Sequence, residues 1–413
     1  MRYPMKIILL VFACILILSS SIFPCTTAIV SGKCTVDGRP ILLKHRDSDF
    51  MQNRLMYFRD GKYEYIGLVN SSDTSGAEIW VGCNSTGFAI MNSADYNLNT
   101  DDTTKAKDGE GYLMKKALQS CATVDEFEHF LQSLPKPMGV EANFGVIDAK
   151  GGAAYFETGN FTYTKFDAND PKTAPFGYLI RTNYAFTGNR KNDFGLIRYR
   201  TADELFYTAA NMQSLSFEFI LKNVSRCLKH SLTKIDLSQN LPAQSEPEQF
   251  AWFQDFIPRF SSTASVVIHG VKPYESPSLT TMWTILGFPL SSIAVPTWVA
   301  GNDKLPALLI ADASGNAPIC SMALKLKKRC FPIERESGKS YLNLAAVMNK
   351  ADNGILQKLL PLEDKIIREA NKRMNGWRSH GTIGNDLPAF YRWIDETVSA
   401  EYEKMFGPWI LIN

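Results

Sequence analysis

Cys25 opens the run Cys25-Thr26-Thr27-Ala28-Ile29-Val30 directly behind a segment with the features of a removable secretory leader. If the chain is cut at that bond, its first residue carries a thiol and a free α-amino group together, and the amine can serve as the thiol's own general base. Such a residue is a nucleophile and base pair without any histidine. The five histidines are His45, His129, His230, His269 and His380. His45 neighbours Arg46 in an expected strand, where alternation turns adjacent side chains to opposite faces, so a site that Arg46 faces is one His45 does not. His380 sits in a glycine-flanked loop, and no papain-like sequence surrounds Cys25. No Cys-x-x-Cys or His-x-x-x-His spacing occurs, so neither a metal nor another cofactor is expected.

The leader is built from a positive start at Arg2 and Lys6, an apolar stretch from Ile7 to Leu18, and the small residues Ser19, Ser20 and Ser21. That stretch is shorter than the roughly 20 apolar residues that span a bilayer. It reads as a signal for secretion or periplasmic export, with no stable membrane anchor. Cleavage after Ser21 fits the small-residue rule better than cleavage after Pro24, so Ile22-Phe23-Pro24 would remain as a pro-piece. Residues 1–24 are thus read as leader plus pro-piece, and residues 25–413 as one catalytic domain. Phe23-Pro24 lacks the small residue that lipid anchoring wants before the cysteine.

The chain is 45% hydrophobic and 21% charged, the balance of a globular protein with a sizeable core. A formal charge of +2 gives no case for nucleic acid or an anionic membrane as partner. Apart from Cys25 and the leader's Cys14, six cysteines remain, Cys34, Cys83, Cys121, Cys227, Cys320 and Cys330, an even set that suits disulfides in an oxidising compartment without revealing their pairing. Asn70, Asn84, Asn160 and Asn223 each begin an Asn-x-Ser/Thr triplet.

The elements that must position Cys25 begin with short strands over 26–31, 39–44, 54–59, 64–69, 78–81 and 87–91, separated by turn signals such as Asp37-Gly38 and Asp60-Gly61. Helices are expected over 112–119 and after Thr123-Val124-Asp125-Glu126, which has the form of a capping box. Strands return over 143–148 and 153–157, a helix over 202–221, and strands over 265–271, 280–286 and 293–299, with a polar surface loop over 239–248. The tail, about residues 362–406, reads as a helical pair, since Leu362, Ile366, Ala370, Met374 and Trp377 recur at helical spacing. This order describes α+β packing of two sheets between helix layers. Trp283, Trp298, Phe253 and Phe256 are assigned to the core.

Four motifs in order, Cys25-Thr26-Thr27-Ala28-Ile29, His45-Arg46-Asp47-Ser48-Asp49-Phe50, Gly82 to Asn92, and Arg181-Thr182-Asn183, make the chain resemble the group of N-terminal-nucleophile (Ntn) cysteine hydrolases that holds choloylglycine hydrolase, penicillin V acylase and acyl-CoA:6-aminopenicillanic acid acyltransferase. The resemblance implies a four-layer αββα sandwich and hydrolysis of a linear, non-peptide amide. It also implies roles: Cys25 as nucleophile, Arg46 beside its sulfur favouring thiolate, Asp49 holding the α-amino group, Asn92 through its main-chain N–H and Asn183 through its side-chain amide forming an oxyanion hole, and Arg198 as a further basic residue. Where the bile salt hydrolases show Arg-Asn-x-Asp, this chain has Arg46-Asp47-Ser48-Asp49, so Asp47 competes with Asp49; spacing favours Asp49. Arg200 competes with Arg198 in the same way. The implied partner is a small acyl-amide substrate, and a homo-oligomer is left open. An acyltransferase that delivers the acyl group to an amine, a dipeptidase of the same superfamily, and a secreted binding protein that keeps the fold are the alternatives.

Overall fold

The computed structural model describes residues 25–189, 193–301 and 304–408, so the expected leader and pro-piece lie outside the described residues. β1 (Thr26–Val30) and β2 (Ile41–Asp47) start a first sheet. The chain then crosses to a second, in which β3 (Asn53–Phe58), β4 (Tyr65–Asn70), β5 (Val81–Asn84), β6 (Ala89–Ala94), β7 (Ala142–Ile147), β8 (Ala153–Thr158) and β9 (Tyr163–Asp167) each pair antiparallel with the next. β10 (Tyr178–Arg181) returns to pair with β1. After two short strands, β11 (Lys229–His230) and β12 (Ile235–Asp236), which form a ribbon, and β13 (Phe250–Trp252), the first sheet is completed by β14 (Ser262–His269), β15 (Thr281–Leu286) and β16 (Ala294–Thr297). Its spatial order is β10-β1-β2-β14-β15-β16, and every pairing is antiparallel. β17 (Tyr341–Asn343) pairs with β13.

The helices are α1 (Glu110–Ser120), α2 (Val124–Ser133), α3 (Leu196–Asn211), the single turn α4 (Phe217–Phe219), α5 (Pro318–Cys330), the single turn α6 (Leu344–Val347), α7 (Ile355–His380) and α8 (Leu387–Phe406). Strand alternation sorts the core into layers. On β6, Ile90 joins Phe88, Phe144 and Phe156 under Leu113 and Met114 of α1 and Phe127 and Leu131 of α2. Ala89 and Met91, on the other face of the same strand, pack with Ile29 and Leu42 of the first sheet. The far side of that first sheet is covered by α3, α5 and α7, with α8 against α7. The result is the expected four-layer αββα sandwich of two antiparallel sheets.

Some boundaries move for local reasons. The strand expected over 78–81 begins only at Val81, because Glu78 N–H bonds the Asp73 carboxylate at 3.0 Å and Ile79 N–H bonds Gly111 C=O at 3.1 Å, both outside the ladder. The helix expected over 202–221 is broken in two. Gln213 adopts φ 51°, which a helix cannot continue, and the Ser216 side chain caps a new start by accepting from Phe219 N–H at 3.1 Å. At α2, Thr123 caps as expected, accepting from Glu126 N–H at 3.1 Å, but the Glu126 carboxylate reaches Ala122 N–H at 2.7 Å instead of the cap residue's own N–H. The described cysteines all carry free thiols, so the six form no disulfide in this structure. Trp283, Trp298, Phe253 and Phe256 are buried. Among the described residues no helix is long and apolar enough to cross a membrane, and no cluster of His, Cys, Asp and Glu is arranged to hold a metal ion.

Candidate active site

β2 is the element on which the site is built. It lies between β1 and β14, with Thr26 opposite His45 and Thr27 opposite Lys44 on one side and Ala264 opposite Arg46 on the other. It also runs three residues beyond the expected 39–44, carrying His45, Arg46 and Asp47 into the sheet. A period of two then sends Lys44 and Arg46 to one face, between the sheets, and His45 and Asp47 to the other.

Cys25 sits one residue before β1 and is 5% exposed. Arg46 reaches across the gap between the sheets. It donates from Nη1 to Asn53 Oδ1 at 2.6 Å and Thr263 Oγ1 at 3.3 Å, and from Nη2 to Asn70 Oδ1 at 2.9 Å, with its guanidinium 4.9 Å from the centre of the Trp80 ring. All these oxygens are neutral. Burial therefore presses Arg46 down to about 10, while the charges of Cys25 and Asp47 act the other way. At that value it is still a cation at neutral pH, placed to favour a thiolate on Cys25.

Lys44 is equally buried. Its Nζ donates to Asn92 Oδ1 at 2.8 Å and to the Asn92 carbonyl oxygen, and the strand register that pairs Thr27 with Lys44 sets Cys25 on the same face. Lys44 thus ties β2 to Asn92, on β6 of the opposite sheet. Arg198, near the start of α3, donates to the Cys25 carbonyl oxygen, to Thr26 Oγ1 at 2.9 Å and to Asn183 Oδ1 at 2.9 Å. Asn183 in turn donates from Nδ2 to Ala94 C=O at 2.7 Å, at the end of β6. Burial lowers Arg198 to about 9. Its rival Arg200 is exposed.

Cys25, Arg46, Asn92, Asn183 and Arg198 are therefore brought together, and Asp49 is not. Asp49 lies two residues past the end of β2 and is exposed, because β2 stops at Asp47 and the chain turns outward there. Asp47 is the buried aspartate. Its Oδ2 accepts from Arg259 Nε at 3.1 Å and Nη2 at 2.6 Å, and its Oδ1 accepts from Ser262 Oγ at 2.6 Å. His45 lies on the same face, its Nε2 2.9 Å from Ser262 Oγ, and burial pushes it down to about 4, so it is neutral. Sequence reasoning missed Lys44 and Arg259. Lys44 had a signal, since it stands two residues before Arg46 and so shares its face; Arg259 had none.

No family model matches the chain, and no curated protein matches it. Solved structures do. A Caenorhabditis elegans N-acylethanolamine-hydrolyzing acid amidase ortholog is similar at 15% identity, over 61% of this chain and 93% of that one, with a TM-score of 0.40. Penicillin V acylase from Agrobacterium tumefaciens is similar at 12% identity, over 67% and 86%, with a TM-score of 0.38. A variant of conjugated bile acid hydrolase from Clostridium perfringens is similar at 12% identity, over 67% and 93%, with a TM-score of 0.36. These likenesses are distant, and the chemistry that follows rests on this chain's own residues.

Proposed function

We propose that the chain is a secreted amidase or acylase that hydrolyses a linear, non-peptide amide C–N bond through a thioester on Cys25, which becomes the first residue once residues 1–24 are removed. The observation that carries this reading is a buried thiol at the head of β1 with Lys44 and Arg46 on one strand face beside it and an Arg198-held Asn183 nearby. The thiol proton moves to a nitrogen base and the sulfur attacks the amide carbon. The carbonyl π pair moves onto oxygen, where Asn92 N–H and Asn183 Nδ2 donate to it; donors set in place before the charge develops are the most effective form of such stabilisation. Collapse breaks the C–N bond, the amine leaves with the proton, and water cleaves the thioester. Neither aspartate reaches the Cys25 amine in this arrangement, since Asp47 is held by Arg259 and Ser262 on the opposite face of β2 and Asp49 is exposed.

A papain-type reading is disfavoured by His45, which is turned to the opposite face and engaged with Ser262. An amine in place of water would make the same site an acyltransferase. The test is hydrolysis of a panel of chromogenic acyl-amides by the mature protein and by Cys25→Ala, with mass spectrometry for an acyl group on Cys25. Turnover lost in Cys25→Ala and an acyl adduct on the wild type support the proposal; turnover that survives in Cys25→Ala refutes it.

A further inference from the structure

Lys44 has a setting unlike that of an ordinary structural lysine. Its side chain is fully buried between the sheets, yet its hydrogen bonds go to a carbonyl and an amide oxygen, both of Asn92, while the register that pairs Thr27 with Lys44 puts Cys25, two residues before Thr27, on the same face of the sheet. Neither acceptor is a carboxylate. Asn92 takes two of the three ammonium hydrogens. An ammonium buried without a counter-charge is costly, and burial accordingly drives Lys44 toward the neutral amine, with Arg46 pushing the same way and the Cys25 and Asp47 charges opposing. A thiolate on Cys25 would supply the missing counter-charge.

The α-nitrogen of Cys25 offers no base while the Pro24–Cys25 bond is intact, because an amide nitrogen does not accept a proton. A thiol that must act in the uncut chain needs a base elsewhere. We propose, building on the thioester reading above, that Lys44 is a catalytic residue and the proton partner of Cys25, so that the thiolate forms both before and after residue 25 becomes the chain terminus. The Sγ–H bond breaks and its proton is taken by the Nζ lone pair, converting a neutral pair into thiolate and ammonium. The sulfur then bonds the carbonyl carbon, and as the C–N bond breaks the ammonium returns its proton to the departing nitrogen. In the cut chain the α-amine of Cys25 becomes a second base. The charged groups around the pair are Arg46 on the same face of β2, Asp47 on its opposite face and Arg198 of α3, with Glu78 acting on Arg46 from farther off.

The experiment follows alkylation of Cys25 by iodoacetamide against pH, read by mass spectrometry, in the full-length chain and the mature protein. Lys44→Met, close in length and without charge, should alkylate at least about tenfold more slowly at neutral pH, with a rate profile moved to higher pH, and kcat should fall by about 10²- to 10⁴-fold. Lys44→Arg, which keeps a charge but does not release a proton near neutral pH, should restore the fold without restoring the profile. A folded Lys44→Met with the wild-type alkylation profile overturns the proposal, while Cys25→Ala remaining inactive in the same assays would leave the thioester reading standing. A readout on the wild type serves where the variants do not fold. In protein labelled at lysine Nζ, alkylating Cys25 removes the thiolate and should move one buried lysine resonance and its titration to lower pH; no lysine responding overturns the proposal.

Discussion

Arg198 donates to Asn183 Oδ1 at 2.9 Å, and that bond decides which way the Asn183 amide points. With its oxygen held by the guanidinium, the NH₂ end is turned to Ala94 at the end of β6, on the side of Asn92. Asn183→Asp keeps an acceptor for Arg198 and removes the donor. We expect it to fold and to lose about 10²- to 10³-fold in kcat with little change in KM, the pattern for a donor that acts on the transition state. Steady-state kinetics decide it: a raised KM at unchanged kcat would make Asn183 a binding residue instead.

Asp47 and Asp49 should separate cleanly in stability. Removing the charge of Asp47 leaves Arg259 buried without its partner, and breaking a buried pair in this way costs about 3–5 kcal/mol. Asp49 is exposed, and Asp49→Asn should change stability by no more than about 0.5 kcal/mol. Urea unfolding of Asp47→Asn and Asp49→Asn measures both. Equal, small effects would show that the Asp47–Arg259 pair contributes little.

His45 gives the acid limb of stability a sign. In the unfolded chain it takes up a proton as pH falls through about 6.5, whereas in the folded protein burial delays this to about 4. The unfolded state therefore binds more protons between those values. The stability due to neutral His45 is fully present above about pH 6.5 and is lost as pH falls toward 4. Urea midpoints measured across this window should fall less steeply in His45→Gln, which retains a polar group for Ser262. A variant as steep as wild type would assign the acid limb to other groups.

The start of the mature chain is the fourth expectation. If Cys25 attacks the Pro24 carbonyl through the same donors, wild type should begin at residue 25 and Cys25→Ala should retain Ile22-Phe23-Pro24. Intact-mass measurement of both is enough. Cys25→Ala found starting at residue 25 would show that a host peptidase does the trimming, and a fully active wild type still carrying Ile22 would remove the α-amine from the mechanism.

Much of this architecture could be read from residue patterns, because both sheets are antiparallel and their strands alternate over turns with clear signals. Arg46 and His45 parted to opposite faces as a period of two requires. The placing of Asp49 outside the cluster has the same root. Spacing was carried past the end of a strand, but alternation holds only while the strand lasts, and β2 ends at Asp47 beside an irregularity in its pairing with β14 between Ser262 and Ala264. Arg259 was invisible for another reason: it meets Asp47 from 212 positions away, and no local pattern encodes such a contact. The split of the 202–221 helix depended on the backbone of one residue, Gln213, whose type does not favour the conformation it adopts.

Asn70 accepts from Arg46 and also begins a glycosylation triplet, Asn70-Ser71-Ser72. Asn84 and Asn160, which begin two others, are buried as well, and only Asn223 is exposed. A eukaryotic secretory pathway attaches sugars to such triplets while the chain is still being threaded into the lumen, before any fold protects them. A glycan on Asn70 Nδ2 would have no room between the sheets and would pull the acceptor away from Arg46. The choice of expression host is thus a chemical variable for this protein: a cell that does not glycosylate leaves the cation beside Cys25 in place, and one that does would need Asn70 shielded by rapid folding or spared by Ser72→Ala.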